Sequence, residues 1–270
     1  MNTTRYFQWA AAACFAMALA APSAAQQKPF TPVVGQEGKD VVWVPTPQAT
    51  VEKMLDVAQV TPQDFVMDLG SGDGRNIIAA AKRGARARGV EYNPDMVELA
   101  RRAAESEGVA DRATFLQGDM YEADISQATV LALFLLPENL DKLAEKFLAL
   151  NPGTRIVVNQ FWIEGWDAEE TQRAEGDCGA WCNVLLIIVP ARVAGTWRLP
   201  SGELRLAQRY QTISGTLSAG GKELPVSGGR LRGDQITFVA DGVTYAGRVR
   251  GERMDGLGGG WSAIRVSAGE

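Results

Sequence analysis

The sequence predicts an α/β chain in which a helix-covered parallel sheet is followed by a small C-terminal antiparallel β domain. Three observations carry that reading. Short apolar strand segments alternate with amphipathic helical patterns between Pro47 and Val158. Beyond Pro190 the helical period disappears, and short alternating segments separated by glycine turns take over. The chain has 270 residues, enough for two ordinary domains.

The elements follow in order. Val51, Met54, Leu55 and Ala58 fall at helical spacing between Pro47 and Val60. Phe65-Val-Met67 reads as a strand ending in Asp68, with a helix from about Asn76 to Lys82. Gly89-Val90 leads into Glu91, and Pro94 opens a helix carrying Met96, Leu99, Ala100 and Ala103. Thr114–Leu116 and Thr129–Leu133 are further strands. Pro137 starts another helix, and Arg155–Val158 is a fifth strand. Strands linked by helices in this way pair in parallel. In the C-terminal part, Leu204–Leu206, Ile213–Leu217, Ile236–Phe238, Val243–Tyr245 and Trp261–Val266 alternate like half-buried strands, which predicts a meander closed as a small barrel or a sandwich. An echo supports hairpins there: Gly229-Arg-Leu-Arg-Gly-Asp234 recurs as Gly247-Arg-Val-Arg-Gly-Glu252. The expected division is an arm at 26–42, the α/β domain at 43–192 and the all-β domain at 193–270.

Composition excludes several classes of function. A formal charge of −5 without a block of one sign argues against nucleic acid or an anionic membrane as partner. The chain has no histidine, which removes the commonest general base and metal ligand, so no metal site is expected. At the N-terminus, Arg5, the apolar run Trp9–Ala20, Pro22 and the small residues Ser23-Ala-Ala25 have the layout of a cleaved secretory signal over residues 1–25. The apolar run is short for a membrane span, so no stable anchor is expected after cleavage. Export would leave Cys178 and Cys182, an even pair four residues apart. If the segment were helical they would lie within bridging distance, closing only a tiny loop.

The segment with the most chemistry is Val66-Met-Asp-Leu-Gly-Ser-Gly-Asp-Gly74, between the first strand and its helix. Its glycines at 70, 72 and 74 do not have the spacing of the dinucleotide fingerprint. Asp68 and Asp73 would repel a pyrophosphate, but would attract a ligand carrying an ammonium and a sulfonium, as S-adenosylmethionine does. Glu91, at the end of the second strand, is placed to accept both ribose hydroxyls. Asp119, after the third strand, is placed to accept from an adenine amino group, with Met120 packing on the ring. Ser71 and Tyr92 complete the expected cofactor-binding set of Asp68, Gly70, Ser71, Gly72, Asp73, Gly74, Glu91, Tyr92, Asp119 and Met120.

With those residues in hand, residues 43–166 resemble the class I S-adenosylmethionine-dependent methyltransferases. Within that class they resemble a bacterial and mitochondrial group whose characterised members methylate protein lysines. The resemblance rests on Val44-Pro-Thr-Pro47 preceded by Trp43, on Asp68–Gly74, Glu91-Tyr-Asn-Pro94, Gln117-Gly-Asp119 and Leu133-Phe-Leu-Leu-Pro137. It implies a Rossmann-like methyltransferase domain and S-adenosylmethionine as cofactor, and says nothing of residues 191–270. By the same analogy Trp43, Pro45, Phe134, Leu135 and Pro137 would wall an acceptor channel; helix N-terminus and core is the equally open reading of the Phe134–Pro137 run. The Asn/Asp-Pro-Pro-aromatic motif of many amino-directed enzymes is absent, so no catalytic base can be named; Glu138 and Tyr121 are the nearest candidates and read equally as surface residues. Three functions stay open on the sequence: a protein-lysine methyltransferase, a small-molecule methyltransferase with Trp162, Trp166 and Trp181 in a lid, or an exported binding protein that keeps the fold without catalysis.

Overall fold

The computed structural model describes Met1 and residues 30–268, so the expected export segment, Met1 apart, lies outside the described residues. The α/β part contains α1 (Gln48–Val57), β1 (Phe65–Leu69), α2 (Arg75–Lys82), β2 (Arg86–Glu91), α3 (Pro94–Ser106), β3 (Ala113–Gln117), β4 (Val130–Leu133), α4 (Pro137–Leu148), β5 (Arg155–Asn159), β6 (Glu170–Arg173) and β7 (Asn183–Ile188). These strands form one seven-stranded sheet in the order β3-β2-β1-β4-β5-β7-β6. Strands β1 to β5 pair in parallel, whereas β7 is antiparallel to both β5 and β6. Sequence periodicity does not reveal this last hairpin. Asn183-Val-Leu-Leu-Ile-Ile188 is buried along most of its length, so it lacks the polar–apolar alternation that marks a half-exposed strand.

Strand pleat divides the core in two. Val66, Val130, Ala132 and Val157 point to one face, where Val51, Met54 and Leu55 of α1, Ile77 of α2 and Val97 of α3 cover them. Met67, Leu69, Leu131, Leu133, Ile156 and Val158 point to the other, against Leu140, Leu143 and Phe147 of α4. Proline opens α3 and α4 at the first helical position, and the Asn93 side chain caps α3 by accepting from the Asp95 amide at 2.9 Å. Among the described residues no helix is long and apolar enough to cross a membrane.

The C-terminal strands are β8 (Gly195–Leu199), β9 (Gly202–Arg209), β10 (Thr212–Ala219), β11 (Lys222–Arg232), β12 (Gln235–Ala240), β13 (Val243–Arg250), β14 (Arg253–Gly256) and β15 (Ser262–Ala268). They close into an eight-stranded barrel, β15 pairing with β8. Trp197, Leu204, Leu231, Phe238 and Met254 fill its interior. The sequence echo marks two equivalent hairpins, whose turns place Gly233 and Gly251 at the same φ of 59°. The barrel is docked on the sheet domain: Tyr210 stacks on the buried Trp166 at 4.7 Å, the Gln211 side chain donates to the Asp167 carbonyl at 3.1 Å, and Arg230 pairs with Glu169 at 3.0 Å.

Candidate active site

The carboxyl ends of β1, β2, β3 and β4 open on a cleft of two adjoining lobes, the position where open parallel sheets bind ligands. The larger lobe is lined by Gly70, Glu91, Tyr92, Met96, Asp119, Met120 and Phe134, together with the segment Gln36–Val44. The smaller is lined by Trp43–Thr46, Asp68, Gly70–Asp73, Arg75, Asn76 and Phe134. Trp43, Val44, Gly70 and Phe134 belong to both and form the neck between them.

The glycine loop begins where β1 ends. Gly70 and Ser71 donate to the Val90 carbonyl at 2.8 and 3.1 Å, which swings the loop across the end of β2. Gly72 has φ of 53°, and a Cβ there would lie 2.7 Å from the Trp43 indole nitrogen. The position therefore requires glycine twice over, for its backbone conformation and for the close passage of Trp43. The Ser71 hydroxyl turns toward Gly89, where a side chain would collide with it at 2.4 Å.

Glu91 is held by its own backbone neighbourhood. The Gly72 amide donates to Oε2 and the Asn93 amide to Oε1, each at 2.9 Å. One bond to each oxygen leaves a free lone pair on both, so the carboxylate can still accept from a vicinal diol. Asp68 lies fully inside, accepting from Asn76 Nδ2 at 2.9 Å. Burial lifts its carboxyl well above the usual range; the Asn76 bond opposes that shift, and the charges of Glu91 and Asp73 add to it.

The other two expected acids are already partnered. Asp73 pairs with Arg75 at 2.9 Å, and Arg75 also donates to the Thr46 carbonyl at 2.7 Å, tying the Val44–Pro47 run to the loop. Asp119 accepts from the Tyr121 amide at 2.8 Å and forms an ion pair with Lys39, whose ammonium also sits 5.3 Å from the centre of the Tyr92 ring. Lys39 comes from the arm. Its residues fold back as a narrow hairpin, with Gly35 N to Trp43 O and Trp43 N to Gln36 O both at 2.9 Å, and roof the larger lobe. Composition alone sets residues 26–42 apart as an arm, whereas in the structure Gln36–Val42 line the cleft. The signal that could have shown this is the apolar run Val41-Val-Trp-Val44 after two glycines, too short to mark a strand unaided.

Of the five expected channel residues, Trp43, Pro45 and Phe134 line the cleft. Two are corrected. Leu135 is buried in the core beneath Gly70, and Pro137 sits at the first turn of α4; neither lines either lobe. After β4 ends at Leu133, Phe134 lines the cleft while Leu135 turns into the core. Tyr121 accepts a hydrogen bond from Asn139 at 2.8 Å and Glu138 lies on the outer side of α4; neither lines the cleft.

Comparison with known proteins agrees with this geometry. Residues 68–170 match the ANTKMT methyltransferase domain family. The chain is 44% identical over 138 residues to a protein-lysine N-methyltransferase of Saccharolobus islandicus (strain REY15A), covering 50% of this chain and 86% of that protein. It is 36% identical to an adenine nucleotide translocase lysine N-methyltransferase of Mus musculus, covering 43% of this chain and 51% of the mouse protein. Among solved structures, an RNA methyltransferase from Salinibacter ruber in complex with S-adenosyl-L-homocysteine is 43% identical, with a TM-score of 0.52, and is matched over 56% of this chain and 96% of its own.

Proposed function

Since the chain belongs to the family of S-adenosylmethionine-dependent methyltransferases that includes these protein-lysine enzymes, we infer that it methylates the side-chain amine of a protein lysine. The single observation that carries the reading is the cleft itself. One lobe offers a diol acceptor at Glu91, the other offers the buried Asp68 carboxyl to an ammonium, and the two meet at a neck walled by Trp43 and Phe134.

The residues present fit the cofactor. Glu91 would hold the ribose hydroxyls, Met120 and Tyr92 would border the adenine, and Asp68 would face the amino group of the methionyl end. Bound there, S-adenosylmethionine supplies an already activated methyl group on a sulfonium. The chain's own tasks are to orient the acceptor, to keep water out and to let the amine lose its proton. A lysine ammonium has an unperturbed pKa of about 10.4; desolvation at the aromatic neck favours the neutral amine, against the pull of the carboxylates that draw the cation in. With the proton passed to solvent, the amine lone pair forms the new N–C bond in line with the breaking C–S bond.

An RNA acceptor is the second reading, because the Salinibacter structure carries that name. Electrostatics favours a cationic acceptor. Glu37, Asp40, Asp68, Asp73, Glu91 and Asp119 line the cleft, and among the described residues its two cations, Lys39 and Arg75, are both paired with acids. Among the described residues a phosphate backbone has no free cation there to meet. The test is transfer of tritiated methyl from S-adenosylmethionine to separate protein and RNA fractions of the host. Label recovered as Nε-methyllysine after hydrolysis supports the reading; label confined to RNA overturns it.

Export is part of this proposal. A bridge between Cys178 and Cys182 supports an oxidising compartment. Intact mass of the native protein should then show a chain beginning near Gln26 with both thiols blocked to alkylation.

A further inference from the structure

A bridge that spans four residues constrains the unfolded chain very little, so Cys178–Cys182 contributes little to overall stability and its effect is local. The two cysteines are not on a helix, as their spacing had suggested, but in the loop joining β6 to β7. The ring they close contains Trp181, whose amide donates to the Cys178 carbonyl at 2.9 Å. Its own carbonyl is held twice, by the Thr50 hydroxyl of α1 and by Asn159 Nδ2 of β5, both at 2.8 Å.

So fixed, the Trp181 indole lies 5.2 Å from the ring of Phe134 and 6.3 Å from that of Phe161, and Phe161 stacks on Phe134 at 6.2 Å. All three rings are half-buried, and Phe134 lines both lobes of the cleft, so the aromatic surface continues outward from the neck. Polar groups beside it are left wanting. Among the described residues, Asn159 Oδ1 and Gln160 Oε1 are buried without a hydrogen-bond partner, and Gln160 is held at φ of 69°, a conformation uncommon for a non-glycine residue. Aromatic faces suit an aliphatic stem that ends in an ammonium.

The geometry points to an acceptor pocket for a lysine side chain formed by Phe134, Phe161 and Trp181, in which the Cys178–Cys182 bridge positions Trp181. This rests on the methyl-transfer reading of the cleft. It moves the acceptor wall from Leu135 and Pro137 to residues more than twenty positions further along the chain. It also gives the bridge a role in recognition rather than in folding.

The test titrates the full chain, saturated with S-adenosylhomocysteine, with the acetylated, amidated tripeptide Gly-Lys-Gly, and with Gly-Ala-Gly as control. The lysine peptide should bind and the alanine peptide should not. Phe161→Ala and Trp181→Ala should each weaken lysine-peptide binding about tenfold, Trp181→Phe should retain most of it, and the double variant Cys178→Ser/Cys182→Ser should fall between. The affinity for S-adenosylhomocysteine should match the wild type in every variant, which a general loss of folding would not allow. Equal binding of the two tripeptides, or lysine-peptide binding unmoved by the aromatic variants, overturns the pocket; an unmoved double serine variant overturns the role of the bridge. Failure of the wild type to bind S-adenosylhomocysteine sinks the cofactor reading first, and this pocket with it.

Discussion

Gly251 of the barrel and Gly72 of the sheet domain adopt nearly the same backbone, with φ of 59° and 53°, yet their surroundings differ completely. A Cβ on Gly251 would meet nothing within 4 Å, whereas one on Gly72 would strike the Trp43 ring. Gly251 turns the chain around between two strands of the barrel, whereas Gly72 clears space at the mouth of a cleft. The same contrast holds for polar groups. The barrel buries Trp197 with its indole N–H donating to the Val193 carbonyl at 2.8 Å, while the cleft buries Asp68, a carboxyl displaced far from its ordinary ionisation. The first is a buried polar group with its partner in place; the second is a buried carboxyl lining a cleft.

The greatest loss should fall at Gly72. Gly72→Val should abolish detectable binding of S-adenosylhomocysteine by calorimetry, because strain and the Trp43 collision both fall on the loop. Gly251→Ala should leave that affinity unchanged and lower stability to denaturant by about 1 kcal/mol. Loss of cofactor binding from the barrel variant would show that the domains do not divide the work.

Glu91 comes next. Glu91→Ala removes a charge-assisted two-point acceptor and should weaken S-adenosylhomocysteine by roughly 1.5–3 kcal/mol, with Glu91→Gln between. Wild-type affinity in a folded Glu91→Ala variant would remove the ribose assignment.

Asp68 extends the contrast to pH. Its folded-state pKa is raised, so the stability it contributes is complete below the unfolded value of about 3.9 and is lost as pH rises through the folded value. The ligand-free Asp68→Asn variant should therefore gain on the wild type in denaturant midpoint as pH rises. Binding should show the opposite dependence. A cationic amino group favours the carboxylate, so wild-type affinity for S-adenosylhomocysteine should climb with pH, with proton release, and that of Asp68→Asn should stay flat. Parallel profiles for the two proteins would place the methionyl end elsewhere.

The mildest change concerns the barrel's contribution to the cleft. A chain of residues 26–192 loses Tyr210 from the face of Trp166 and should unfold at lower denaturant than the full chain. It should still bind S-adenosylhomocysteine with an affinity close to that of the full chain. A soluble, folded 26–192 chain without binding would mean that the two domains share the site.

These two regions are also unequally legible in the sequence. The barrel's strands show by alternation, and its hairpins by the echo at Gly229 and Gly247, because local period and turn chemistry determine a meander. The glycine loop and Glu91 are legible because each stands at the end of a strand, where spacing translates directly into position. The hairpin of β6 and β7 is not, since β7 is apolar on both faces and β6 is short and polar. Nor are the contacts of Lys39 with Asp119, 80 residues on, and of Trp181 with Phe134, 47 residues back, which no local pattern encodes.

The acceptor pocket, the role of the neck and the pH dependence of Asp68 all depend on one thing. The cleft at the carboxyl ends of β1 to β4 must be a cofactor site built around Glu91. Calorimetric titration of the full chain with S-adenosylhomocysteine decides this. Binding should saturate at one site per chain, with an affinity that Glu91→Ala weakens by about ten- to a hundredfold. Absence of binding by the folded wild type, or saturation that Glu91→Ala leaves untouched, would contradict it.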